Sequence, residues 1–213
     1  MLSSSPADAG LIHDYQLNGS LADALGGPAL VDLGGTLGAD RFSFANNLGL
    51  RLTAGLPNPD NYSIEIVFQL DAQSAGWVKL IDFKSPLVDN GLYWTAAGSG
   101  AVLGGAGFWP VSFSTESVFT PTQDHLLVVS RDAASDLLTV TVDGSLALSF
   151  TDSTGLGVFS ANVATFFVDE GPEWGNGSVD SIRIFDSLVV PEPQTAVLLV
   201  AGLVALAGQR RSQ

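Results

Sequence analysis

The sequence predicts an all-β fold, a sandwich or barrel of short antiparallel strands. Three observations carry this. Apolar residues alternate with polar ones at a period of two through most of the chain, with almost no helical periodicity before the last two dozen residues. An Asp-Gly pair sits between two alternating runs, where a tight hairpin turn needs positive φ at both central positions. More than ten short strand-like runs are separated by Gly, Pro, Asn or Asp, a spacing that suits a sandwich or barrel.

In chain order the expected strands begin with Leu11 to Leu17, Ala29 to Leu33, Arg41 to Phe44 and Leu48 to Leu52. From Ser63 to Leu70, Ile64, Ile66, Phe68 and Leu70 face one side while Ser63, Glu65, Val67 and Gln69 face the other, as in a half-buried strand. Trp77 to Phe83 and Leu92 to Ala96 follow. The stretch from Gly98 to Gly107 is Gly-rich but lacks ordered GxGxxG spacing and precedes no helix, so it reads as a tightly turning loop and not a phosphate cradle. His125 to Arg131 is the next strand. Then comes the hairpin of Leu138, Val140 and Val142, Asp143-Gly144, and Leu146, Leu148 and Phe150. Ala164 to Val168 and Ser178 to Phe185 close the series. By alternation Asp180 shares the side of Ile182 and Ile184 and is expected to be hydrogen-bonded or at a sheet rim.

Composition narrows the function classes. Of 213 residues 46% are hydrophobic and only 14% charged, with 24 Gly, which is a globular and turn-rich balance and not a disordered one. The formal net charge is −14. Such a surface repels phosphate backbones and anionic lipid heads, so nucleic acid is excluded as a partner, while neutral sugars and calcium remain compatible. There is no Cys, hence no disulfide, thiolate nucleophile or thiolate metal site.

The end of the chain has a different character. Pro191-Glu192-Pro193 bars helix and sheet, because each ring fixes φ and removes a backbone donor. Thr195 to Gly208 is then an apolar run of about 14 residues, roughly 21 Å of helix against a hydrocarbon core nearer 30 Å. No residue from Ala196 to Ala207 is polar, so a membrane helix is expected over 195–208, followed by Arg210 and Arg211, which stay cytoplasmic and place the large N-terminal part across the membrane. Such export calls for a signal peptide, yet Met1 to Ser5 has neither a basic n-region nor an apolar h-region. Ala7-Asp8-Ala9 has the small-x-small pattern of a signal-peptidase site, so residues 1–9 are expected to be the remnant of a signal peptide whose start lies upstream.

Pro-Glu-Pro, a short apolar helix and an Arg-rich end together resemble the PEP-CTERM sorting signal of bacterial envelope proteins, over 188–213. The resemblance implies processing by an exosortase, which reads Pro191, Glu192 and Pro193, and only transient residence in the inner membrane. It also implies final placement at the surface or in the extracellular matrix of a bacterium, Gram-negative by that family's habit. A second resemblance covers 10–187. Tyr15-Gln16-Leu17-Asn18-Gly19-Ser20-Leu21-Ala22-Asp23, then Tyr62 to Glu65, His125 to Asp132 with Thr141-Val142-Asp143-Gly144, and Gly177 to Phe185 are similar, in that order, to concanavalin A-like, laminin-G-like jelly rolls. Lys79 to Lys84 followed by Asp89-Asn90-Gly91-Leu92-Tyr93 resembles the PEP-CTERM members with this sandwich. This implies two packed antiparallel sheets, with binding of extracellular polysaccharide as the expected function.

Catalytic constellations are sparse. The glucanases of that fold carry Glu-x-Asp-x-x-Glu along one strand, and none of the five Glu here has Asp two residues later. Asp169, Glu170 and Glu173 could pair across a loop, leaving a hydrolase as the alternative, with a purely structural adhesin as another. His13 and His125 are the only imidazoles and there is no Gly-x-Ser-x-Gly, so a serine triad or His-based metal site lacks parts. His125 reads as a hydrogen-bonded strand residue. The expectation is therefore a protein that catalyses nothing. Asp169, Glu170, Glu173 and Asn176 gather oxygen donors in one Gly-containing loop, a candidate calcium site without EF-hand spacing. Trp77 and Trp94 adjoin or lie in strands and are expected in the core. Trp109 and Trp174 lie in Gly- and Pro-rich loops and are the candidate sugar platforms.

Overall fold

The computed structural model describes residues 9–71, 77–84, 88–95, 102–169, 171 and 175–189. The expected helix over 195–208, the Pro191-Glu192-Pro193 motif, Arg210, Arg211, Glu170, Glu173 and Trp174 lie outside them. Among the described residues no helix is long and apolar enough to cross a membrane.

Among the described residues there are fifteen strands: β1 (Leu11–Tyr15), β2 (Val31–Asp32), β3 (Thr36–Leu37), β4 (Phe42–Phe44), β5 (Leu50–Thr53), β6 (Tyr62–Leu70), β7 (Val78–Asp82), β8 (Gly91–Thr95), β9 (Gly105–Trp109), β10 (Ser112–Phe113), β11 (His125–Asp132), β12 (Leu137–Val142), β13 (Ser145–Thr151), β14 (Val163–Phe166) and β15 (Gly177–Phe185). They form two antiparallel sheets. The eight-stranded sheet runs β13-β12-β11-β6-β15-β4-β3, with β1 also on β15, and the seven-stranded sheet runs β10-β9-β8-β7-β14-β5-β2. This is the expected all-β sandwich.

The core fills from the alternating inner faces of both sheets. Tyr62, Ile64, Ile66, Phe68 and Leu70 of β6 are all buried, as the alternation from Ser63 predicts. From the other sheet come Leu92, Trp94, Phe108, Ala164 and Phe166. Phe83 and Phe159 stack near Tyr62, with ring centroids 4.6 Å apart from each other. Deleting such a ring would cost about 3–5 kcal/mol.

The predicted hairpin joins β12 to β13, with Asp143 at φ 50° and Gly144 at φ 77°, the positive pair that a two-residue turn requires. The Tyr15-to-Asp23 motif has a structural role. The Tyr15 hydroxyl donates to the Pro28 carbonyl, and the Asp23 carboxylate accepts from the backbone of Asp14, Leu25 and Gly27 and meets the His13 ring.

Several expectations need correction. A bulge between Val140 and Thr141 shifts the phase of β13, so Leu148 is buried but Leu146 is 65% exposed instead of sharing its side. A second bulge, between Val179 and Ser181, turns Asp180 off the side of Ile182 and Ile184 to a half-exposed position. The glycine stretch does not stay a loop: Gly105–Trp109 is strand β9, because bare backbone is what that position admits. A Cβ on Gly107 would lie 2.6 Å from a Thr95 methyl and 2.8 Å from the Phe113 ring. Trp109 therefore ends a strand and does not sit in a loop.

Candidate functional site

The outer face of the seven-stranded sheet departs from the polar surface that a solvated sheet face normally shows. Strand register places Lys79 opposite Tyr93, Tyr93 opposite Gly107 and Gly107 opposite Phe113, one row across β7, β8, β9 and β10. Alternation sends their neighbours Leu92, Trp94 and Phe108 into the core and this row outward. Gly107 leaves a slot that the Phe113 ring occupies.

Four rings gather there. Trp77 stands with its ring centroid 5.9 Å from Tyr93, 6.1 Å from Trp109 and 5.8 Å from Phe113, all edge to face. Trp109 and Phe113 are 6.0 Å apart. These contacts fix the rings against one another; Trp77, Trp109 and Phe113 are half-buried, whereas Tyr93 is buried at 1% exposure. Trp94 lies in the core as expected. Trp77 does not: it is half-buried on the outer face beside Trp109. The Trp109–Pro110 peptide is cis.

Beneath the rings lies a buried ionic group that sequence reasoning missed. The Lys79 ammonium is 3.1 Å from Asp82 Oδ2 and 2.8 Å from Asp169 Oδ1, and its nitrogen lies 5.2 Å from the centre of the Tyr93 ring. The three side chains are 0%, 2% and 4% exposed, so the charges meet in a medium far less polar than water. The Tyr93 hydroxyl donates to Asp89 at 3.1 Å. Lysine at 79 carries no local signal of this role, because its partner Asp169 is ninety positions away. The one usable hint was a Lys amid the apolar run of a core strand.

The loop carrying the calcium candidates is held from below. The Asp169 and Gly175 backbone amides donate to Asn47 and Asn46, the Asn47 side-chain amide donates to the Gly171 carbonyl, and the Asn176 carbonyl accepts from Asp71. Asp169 turns its Oδ1 to Lys79. Among the described residues no three His, Cys, Asp or Glu side chains gather as a metal site. His125 is hydrogen-bonded, as expected, with Nδ1 2.7 Å from Asp143 and the Thr120 amide donating to Nε2.

Elsewhere, burial pushes the Tyr15 phenol well above its ordinary range, helped by the Asp23 charge, and burial does the same to Tyr62 beside Asp152. Burial alone would raise the Asp23 carboxyl. The amides of Asp14, Leu25 and Gly27 and the His13 ring outweigh it, and Asp23 sits below the usual carboxylate range.

No protein-family profile and no curated protein matches the sequence. The fold does have counterparts among solved structures. Domain 4 of the extracellular arabinanase AbnA from Geobacillus stearothermophilus, a GH43 enzyme, in complex with arabinotriose, superposes with a TM-score of 0.63 at 20% identity, over 87% of this chain and 96% of that one. Trypanosoma rangeli sialidase gives 0.68 at 14% identity over 85% of this chain. Botulinum neurotoxin type C, which depends on interaction with two ganglioside molecules to enter cells, gives 0.60 at 12% identity over 84% of this chain. The chain spans 31% of the sialidase and 48% of the neurotoxin chain.

All three counterparts share the two-sheet β-sandwich fold of this chain. These counterparts overturn the expectation of a protein that catalyses nothing. Two of the three belong to an arabinanase and a sialidase, so the missing Glu-x-Asp-x-x-Glu motif does not exclude catalysis.

Proposed function

We propose that this chain is an exported carbohydrate-binding β-sandwich that holds extracellular polysaccharide on the outer face of its seven-stranded sheet. The observation that carries the reading is the half-buried ring group of Trp77, Trp109 and Phe113, packed on the buried Tyr93, whose hydroxyl donates to the exposed Asp89. Sugar rings offer apolar C–H faces to aromatic surfaces and hydroxyls to nearby acceptors, and such sites combine both in one patch. Support comes also from the arabinotriose complex of a counterpart with the same fold.

The tail from Pro191 to Arg211 supports delivery by an exosortase through a transient inner-membrane stage to the surface or extracellular matrix. Intact-mass measurement on envelope fractions tests this, and a mature protein that retains Arg210 and Arg211 refutes it. Binding is tested with the full chain on a glycan array, with and without a calcium chelator. Trp109→Ala and Trp77→Ala should each weaken the bound glycan at least about tenfold, the scale of a lost stacking contact in a site, with the far-UV spectrum unchanged. An array without a single bound glycan in either condition refutes the reading. Loss of binding with chelator alone supports calcium at the loop from Asp169 to Asn176.

One observation favours a second reading, hydrolysis. Asp82 and Asp169 flank a single ammonium nitrogen at 3.1 and 2.8 Å, so their oxygens are at most about 6 Å apart. Retaining glycosidases hold their two carboxyls about 5 to 5.5 Å apart. Reducing-sugar release from the bound glycan that disappears in Asp82→Asn and Asp169→Asn establishes this activity, and its absence in the unaltered chain removes it.

A further inference from the structure

The charge around the ring group selects among sugars. Lys79 is the one cation in the row, and it is taken up by Asp82 and Asp169. Asp89 stands on the Tyr93 hydroxyl with no cation among its described contacts. One positive and three negative side chains therefore surround the Tyr93 ring.

Four of the remaining cations of the sandwich are engaged elsewhere. Arg41 pairs with Asp124, Arg183 with Asp14, and Arg131 with Asp60, Asp136 and Asp152. The Lys84 ammonium donates to the Gly155 and Val158 carbonyls. Arg51, whose Nε has no partner among the described residues, shares the sheet but lies on β5, across β14 from Asp82 at the end of β7 away from Trp77. The segments left undescribed within the sandwich contain no Lys or Arg, and they add Glu170 and Glu173. Recognition of a carboxylate or sulfate needs an available guanidinium or ammonium, and this face supplies none beside its rings.

We infer that this face is selective for uncharged and amino-bearing glycans and rejects acidic ones, uronates, sialosides and sulfated sugars alike. The inference rests on the proposed sugar binding at the same rings. A glycan carboxylate set against Trp77, whose ring centre is 5.9 Å from that of Tyr93, meets the net negative charge of this group, so repulsion acts at physiological salt and fades as salt rises.

The test uses the full chain and three matched probes in a titration: a cello-oligosaccharide, its counterpart oxidised to glucuronate at C6, and a glucosamine oligomer of equal length. At low salt the neutral probe should bind at least about tenfold tighter than the uronate, with the glucosamine oligomer equal to or tighter than the neutral one. Raising sodium chloride from about 0.02 to 0.5 M should narrow the ratio of neutral to uronate affinity. Asp89→Asn should narrow it too, whereas a purely steric preference is insensitive to both. Uronate binding as tight as neutral, or a ratio that salt leaves fixed, overturns the inference and leaves sugar binding standing. If none of the three probes binds and the glycan array is also blank, the binding reading itself falls and takes this one with it.

Discussion

Replacing Lys79 with Met tests the internal electrostatics of the outer sheet face. The substitution keeps the unbranched stem and removes the ammonium, so Asp82 and Asp169, at 2% and 4% side-chain exposure, lose the cation that offsets them. Breaking a buried pair by removing one partner costs about 3–5 kcal/mol, more than the pair itself is worth, because the remaining charge stays buried. In a domain of this size about 1 kcal/mol moves Tm by 2–4 °C, so the midpoint should fall by roughly 6–20 °C in a thermal scan followed by circular dichroism. The triple variant Lys79→Met, Asp82→Asn, Asp169→Asn should recover most of the loss, since it removes the stranded charges along with the ammonium. A fall below about 1 kcal/mol for Lys79→Met would refute the buried ion group as an energetic unit. Failure of the triple variant to recover would show that packing of the stem, and not charge, accounts for the cost.

Three further outcomes concern other parts of the sandwich. Asp23 has its carboxyl lowered in the folded chain, so its contribution is complete above the unfolded value near 3.8 and is lost as pH falls below it; Asp23→Asn should flatten that acid limb in urea titrations between about pH 4 and 2. Tyr15 and Tyr62 are raised above 10.0, so the folded chain keeps phenolic protons that the unfolded chain releases. Stability should thus decline above about pH 10, with the phenolate absorbance of these two side chains appearing together with unfolding and not before it. Gly144→Ala, at φ 77°, should cost about 1 kcal/mol in the same denaturant assay without changing the slope, because the strain stays within the turn.

Much of the sandwich could be read from local pattern. The β6 alternation and the Asp143-Gly144 turn are properties of a few adjacent residues, and both stand as expected. The failures share a cause. Counting in twos misplaces Leu146 and Asp180, because a bulge is one extra residue that reverses every parity beyond it without an obvious mark in the chain. Strand β9 escaped notice because glycine lowers strand propensity, yet Gly107 is there to admit the Phe113 ring from the neighbouring strand. The site divides in the same way. Trp109 was legible as a ring near Gly and Pro. Its partner Trp77 is not legible in the same way, because adjacency to a strand does not say which face a ring takes. The link from Lys79 to Asp169 depends on β14 pairing with β7, a long-range contact that no local pattern reports.

The place of β15 also governs when this molecule can become itself. The last strand of the sandwich is an interior member of its sheet, with β6 along one edge and both β1 and β4 along the other. Leu11 lies beside Phe185, so the first and last strands close the fold upon each other across nearly the whole domain. A growing chain has no such strand to insert until Phe185 has been made, and until then β6 offers an open edge with nothing native to fill it. Assembly is consequently late and non-local, slow by the measure of contact order, and the interval before closure is the one in which a nascent chain can still be threaded, captured or lost to aggregation.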